Sequence, residues 1–225
     1  MKRPHAVRLF VLSILILPAL VSIVFAGGWA TITLNDFPDY AVAGKPLNLV
    51  FTVRQHGQTP LGGLQPGVQA TTANGRVATA VVKPGSTRGE YAAALTLPAP
   101  GEWTIVINSG FNANATTLPN LKVVAAGAPL PASFSPATRG LRLFTAKGCV
   151  GCHRHLEVNP EHKTDARFDL TGRRFQQDYL KKFLNDPSIK PAEMPDLKLK
   201  EDEIEALAAF INKTSVKQQP DVRRP

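Results

Sequence analysis

Two domains of opposite class are expected from this chain: an all-β sandwich of the immunoglobulin-like kind, then an all-α unit. Three observations predict this. Apolar residues alternate with period two in short runs between Trp29 and Val123, divided by turns rich in Gly, Pro and Asn. Beyond residue 135 the apolar spacing becomes three and four, the period of a helix. Between them Ala125-Ala126-Gly127-Ala128-Pro129-Leu130-Pro131-Ala132 has neither period.

The chain of 225 residues begins with a segment that belongs to neither domain. Lys2, Arg3 and Arg8 precede an uncharged apolar run from Leu9 to Ala26, and Val24-Phe25-Ala26 offers the small residues a signal peptidase reads. Residues 1–26 therefore read as a signal peptide or an N-terminal membrane anchor, since 18 apolar residues sit at the lower edge of what spans a bilayer. Either reading implies export.

Residues 27–125 carry the alternation. Its runs are Trp29 to Leu34, Leu47 to Val53, Val68-Ala70-Thr72, Val77-Thr79-Val81, Tyr91 to Leu97, Trp103-Ile105-Ile107 and Leu121-Val123. Such alternation places one face of each strand on a core. Turn chemistry separates the runs at Ala43-Gly44-Lys45-Pro46, Gly62-Gly63, Lys83-Pro84-Gly85 and Pro98-Ala99-Pro100-Gly101, and Asn74-Gly75 is the sharpest hairpin signal. Seven short strands in such a span predict an immunoglobulin-like sandwich, here without an inter-sheet disulfide. The domain has one histidine, His56, and no Met or Cys, too few ligands for a copper site. Its anchor-then-sandwich order, Asp39-Tyr40-Ala41-Val42-Ala43-Gly44-Lys45-Pro46, Val53-Arg54-Gln55-His56-Gly57 and Gly101-Glu102-Trp103-Thr104-Ile105 resemble the YtkA-like and FixH-like exported domains. With copper set aside on ligand count, the sandwich is expected to be a docking or spacer module.

Residues 126–135 read as a semi-extended linker because of their prolines. Ser135-Pro136 then starts a helix, with Ser as N-cap and Pro at the first position, running to about Lys147 before Gly148. A second helix is expected from about Phe175 to Asn185, with Tyr179, Leu180, Phe183 and Leu184 as its stripe and Asp186-Pro187 as its stop. A third runs from about Lys200 to Lys213, acidic in its first turns and apolar at Ile204, Leu207, Ala208 and Ile211. Residues 214–225 form a polar tail expected to fray.

Chemistry concentrates at Cys149-Val150-Gly151-Cys152-His153. Cys-x-x-Cys-His is the attachment sequence of c-type haem. Two thiols three residues apart lie on one side of a turn, where each can add across one vinyl group of a single porphyrin. The next residue, His153, then comes under the iron as a proximal ligand. Cys149 and Cys152 are the only cysteines, so no four-thiolate site can form. One covalently attached haem c is the cofactor expected.

Residues 136–213 resemble a class I mono-haem cytochrome c. Gly140, Phe144 and Phe210 look like its helix-crossing residues, and Met194-Pro195 looks like its distal-ligand motif. The resemblance implies the class I cytochrome c fold, with Met194 as the sixth iron ligand opposite His153. The residues alone lean the same way, because Met194 is the one methionine besides the initiator and stands in a Pro-flanked loop. His162 stays open as a rival distal ligand, whereas His155 is too near His153 to reach the other face. Arg173 and Arg174 are possible contacts to the haem propionates, since guanidinium forks match carboxylates, or else a solvent-facing pair. The family's Gly-Pro after the haem motif is missing, so the carbonyl that orients His153 is left open.

The formal charge is +9; setting aside Lys2, Arg3 and Arg8 leaves 23 basic against 17 acidic side chains. In an exported haem protein such a balance points away from nucleic acid and toward redox partner proteins or an anionic surface. No hydrolase, phosphate-loop or second haem motif is present. The function expected is one-electron transfer in a respiratory or photosynthetic chain, not enzyme catalysis. The partners expected are an oxidase, a reductase or another cytochrome, with the membrane reached through the N-terminal segment. The alternatives are an accessory or assembly subunit of a membrane oxidase and a haem gas sensor.

Overall fold

A computed structural model describes residues 28–189 and 194–213. The expected leader and the tail lie outside the described residues. Among those described, no helix is long and apolar enough to cross a membrane.

The N-terminal domain is a sandwich of two sheets, its strands numbered in chain order. One sheet has the order β1 (Ala30–Leu34), β3 (Pro46–Gln55), β8 (Glu90–Thr96), β7 (Val82–Pro84), with β4 (Thr59–Pro60) added to β3. The other has the order β2 (Tyr40–Val42), β11 (Leu121–Val124), β9 (Gly101–Asn108), β5 (Gly67–Thr71), β6 (Val77–Ala80), with β10 (Ala115–Thr117) on β9. The inward residues of both sheets, among them Leu49, Phe51, Val53, Leu95, Trp103, Ile105 and Ile107, are fully buried. Trp103 donates its indole N–H to the Ala99 carbonyl at 2.9 Å, and the buried Tyr91 hydroxyl donates to the Leu61 carbonyl at 2.8 Å. The large polar-tipped rings thus stay satisfied inside the core.

The seven expected runs are all strands, and Asn74-Gly75 does turn β5 into β6, with Gly75 in the left-handed region at φ 82°. The run Val77–Val81 is corrected in one respect. Ala78 and Ala80 pack on the core, because register sets them against the buried Ala70 and Val68, while Val77 and Val81 face outward. The chain then changes sheets at Val81, so Val82–Pro84 is a strand where a turn was expected. The short strands β2, β4 and β10 were too brief to show an alternation.

Among the described residues the C-terminal region has three α-helices: α1 (Pro136–Ala146), α2 (Gln177–Asn185) and α3 (Glu201–Ile211). Ser135 caps α1 by accepting the Thr138 N–H, with Pro136 at its first position. Gly140 allows α1 and α3 to touch: a Cβ there would lie 1.9 Å from the Ala206 carbonyl oxygen. Phe144 and Phe210 pack edge-on beside it with centroids 5.6 Å apart.

The two domains are in contact. Ala146 of α1 belongs to the sandwich core. Lys147 and Glu203, each 1% exposed, form an ion pair at 2.6 Å, and Lys147 Nζ also donates to the Asn35 carbonyl at 2.7 Å. Arg142 donates to the Asn120 carbonyl at 2.7 Å and stacks over Phe37 and Phe134. Gly148 has φ 77°, and a Cβ there would stand 2.7 Å from the Ile32 carbonyl oxygen. Only glycine lets the chain leave α1 so close to β1.

Candidate haem-binding site

Directly after Gly148, Cys149–Gly151 form one turn of 3-10 helix. The Cys152 and His153 N–H groups donate to the Cys149 carbonyl at 3.2 and 2.8 Å, closing the turn that carries both thiols and the imidazole. Burial, the largest cause, pushes the Cys149 thiol up to about 12. It stays protonated at neutral pH.

His153 is the best-defined member of the site. Its Nδ1 lies 3.1 Å from the Phe168 carbonyl oxygen. A carbonyl can only accept, so Nδ1 carries the proton and Nε2 keeps its lone pair for a metal. Burial lowers the imidazole's pKa, and His162 acts in the same direction. The ring is therefore neutral at pH 7, as a ligand must be.

The Phe168 carbonyl is the orienting group that the missing Gly-Pro left open, and a short ladder holds it. Arg154 and Asp169 form a parallel bridge, with the Leu170 N–H donating to the Arg154 carbonyl at 2.9 Å. The Arg154 guanidinium also pairs with Asp169 at 2.5 Å. Thr171 first, then Arg154, hold the Asp169 carboxyl down at about 2. Asn159 ties the other side of the loop, donating to the His153 carbonyl at 2.9 Å and accepting the His155 N–H at 2.8 Å. None of Phe168, Asp169 or Asn159 stood out in the sequence, because a loop carbonyl bonded to a ring fifteen residues away follows no local pattern.

The other expected residues fall as follows. Met194 is half-buried against the helical core and lines a cavity of about 300 Å³ with Asp186, Pro187, Ser188 and Asp196. The loop ahead of it, 190–193, lies outside the described residues. His155 is buried in the helix crossing, its ring 4.4 Å from that of Phe210. Arg173 donates from Nε to the Asp169 carbonyl and from Nη2 to the Ala166 carbonyl, both at 2.7 Å, so it braces the Phe168 loop. Arg174 is exposed at the start of the segment leading to α2. His56, at φ 51°, leans on Trp29 with centroids 5.9 Å apart. Among the described residues no group of three or more His, Cys, Asp or Glu could hold a metal ion.

One wall comes from the sandwich. A Cβ on Gly57 would lie 3.3 Å from Cys152 Sγ, and one on Gly151 would lie 2.3 Å from the Thr31 methyl. The outer face of β1 and the turn after β3 thus cover the turn that bears the thiols. These residues fit a haem: a neutral imidazole with its free nitrogen set by a carbonyl, two thiols on one turn, and a thioether beside a cavity. Among the described residues the buried Arg54 Nη1 has no hydrogen-bond partner.

Residues 137–215 match the family model of cytochrome c. The helical region carries a cytochrome c domain. Such a domain supports a haem-binding, electron-transfer role. The match begins one residue into α1 and leaves the sandwich uncovered. No curated protein matches the chain. Solved structures similar to it include the Lin-41 filamin domain, at 14% identity and TM-score 0.33 over 42% of this chain and 91% of that one. Domains 4 and 5 of the S-layer protein SbsC match at 21% identity and TM-score 0.32 over 44% of this chain and 54% of that one. A longer SbsC structure matches at 21% identity and TM-score 0.35, over 47% of this chain and 14% of that one.

Proposed function

We propose that this protein is an exported, membrane-anchored mono-haem c-type cytochrome that passes single electrons in a respiratory or photosynthetic chain. The observation that supports it most is the His153–Phe168 hydrogen bond directly behind the two thiols. Cys149 and Cys152 are the attachment points of haem c, His153 is the proximal ligand and Met194 the distal one. When bound, haem iron supplies a reversible one-electron change between Fe(III) and Fe(II). The Phe168 carbonyl fixes the imidazole that would bind the iron, and Met194 would supply the second protein ligand, which would leave the iron without an open site for substrate. A distal thioether is a soft ligand that raises the potential relative to a second histidine.

Export rests on the apolar run of residues 9–26 behind three basic residues, and on the resemblance of the sandwich to YtkA-like and FixH-like domains. The partners proposed are an oxidase, a reductase or another cytochrome outside the cytoplasmic membrane. The test is the optical spectrum of the purified protein, oxidised, then reduced with and without carbon monoxide. A weak far-red sulfur-to-iron band and no response to carbon monoxide are expected. No such band together with rapid carbon monoxide binding would mean an open iron, and a gas sensor or enzyme in place of a carrier.

A further inference from the structure

The apolar run of residues 9–26 ends close to the first residue that the sandwich holds in place. The Gly28 carbonyl accepts the Asn112 side-chain N–H at 2.9 Å, and a Cβ on Gly28 would lie 2.9 Å from Gln55 Nε2 and 3.3 Å from the Phe111 ring. The Trp29 carbonyl accepts the His56 N–H at 3.0 Å, and Ala30 opens β1 opposite Gln55. Gly27 alone separates the apolar run from these contacts. Two residues of extended chain reach about 7 Å at most. An anchor ending at Ala26 therefore has no slack with which to hold the fold away from a bilayer.

The end of the sandwich where the chain enters is also the end that meets the thiols. Trp29 lies 3.5 Å from where a Cβ on Gly151 would stand, and a Cβ on Gly57 would lie 3.3 Å from Cys152 Sγ. The segments that meet here, 28–30, 55–59 and 109–115, contain no Asp, Glu, Lys or Arg. They offer amides, hydroxyls, His56, Phe111 and Trp29, whose indole is 38% exposed. An uncharged surface with an exposed indole suits the headgroup region of a bilayer. The opposite end has another character. Register carries β5 from Gly67, opposite Asn108, to Thr71, opposite Thr104, and on to the Asn74-Gly75 turn. Lys45, Arg76 and Glu102 stand at that far end.

We propose that the Trp29 end of the sandwich lies against the lipid bilayer into which residues 9–26 insert. The turn that carries Gly151 and Cys152 is packed on the same end, so the thioether edge of an attached haem is held at the membrane surface. The inference rests on the retained anchor proposed above. It fixes the height of the haem over the membrane, where a flexible tether would let that height vary.

The test uses the full-length holoprotein in vesicles of phosphatidylcholine and phosphatidylglycerol, with and without a nickel-chelating lipid. With both haem cysteines bonded to the cofactor, an introduced thiol takes a nitroxide label. Gln58→Cys and Ala113→Cys place it at exposed positions of the Trp29 end, and Ala73→Cys at an exposed position of the far end. The nickel-dependent change in spin relaxation is read, which cancels the constant effect of the haem iron. Relaxation several-fold stronger at positions 58 and 113 than at 73 is expected. Equal relaxation at all three would overturn the proposal. So would spin–spin broadening between two copies without a nickel response, which would give the face to a second copy of the chain. A mass spectrum of the membrane-purified protein is taken first. A chain beginning at Gly27 would overturn the retained anchor and this inference with it, whereas an uncut chain without the relaxation gradient would overturn this inference alone.

Discussion

The sandwich and the cytochrome domain solve the problem of burial differently. Among the described residues nineteen buried apolar side chains form the sandwich core, one of them Ala146 lent by α1, whereas ten form the helical core. The sandwich strands close on one another by backbone pairing from β1 to β11. The cytochrome domain has three helices of nine to eleven residues joined by long loops. Isolated helices of that length are marginal in water. The difference teaches that the sandwich holds largely by its own core, while the helical domain rests on the sheet face and would draw further stability from a bound haem.

Removing the haem has the largest expected effect. Cys149→Ser with Cys152→Ser should yield a chain without covalent haem that loses its cooperative helical melting by circular dichroism. The sandwich should keep its own transition, read from the environment of the fully buried Trp103. A helical transition left intact would show that the ten-residue core suffices, and the comparison would break.

Next comes the seam. Glu203 accepts both the Lys147 ammonium and, at 3.0 Å, the Lys200 N–H that caps α3. Removing one member of a buried pair leaves the other uncompensated, at a cost of about 3–5 kcal/mol. Glu203→Ala should destabilise the helical domain by that order in urea unfolding, and separate its transition from that of the sandwich. Glu203→Leu combined with Lys147→Met should recover much of the loss, because an apolar pair of similar size carries no stranded charge.

Gly140→Ala tests the helix crossing alone. The added methyl would meet the Ala206 carbonyl oxygen, so α1 and α3 must part. About 1–3 kcal/mol of destabilisation is expected for such overpacking, confined to the helical transition. An equal shift in both transitions would mean that the two domains unfold as one unit.

The smallest effect concerns acid. Asp169 has its carboxyl held below the usual range, at about 2, by Thr171 and Arg154. A depressed carboxylate contributes stability that is fully present above its unfolded value, about 3.9, and is lost as pH falls through the folded value. Asp169→Asn should therefore flatten the acid limb of the helical transition between about pH 4 and 2 and leave the sandwich limb unchanged. A steep limb retained in the variant would place the acid sensitivity elsewhere.

Sequence by itself determined the features whose partners are close along the chain. The Cys149-to-His153 turn, the Ser135 cap with Pro136, the Asn74-Gly75 hairpin and the alternating runs are each written within a few residues, because turn, cap and pleat geometry are local. Gly140, Phe144 and Phe210 were legible for another reason, their likeness to a known helix crossing. Only the tertiary structure decided which carbonyl holds His153, why Glu203 is buried against Lys147 as well as capping α3, and that Thr31 and Gly57 of the sandwich stand against the haem turn. Those contacts join residues from about fifteen to more than a hundred positions apart. A carbonyl, a glycine or a threonine methyl acquires its role from what folding brings against it, and that pairing leaves no period or spacing in the chain.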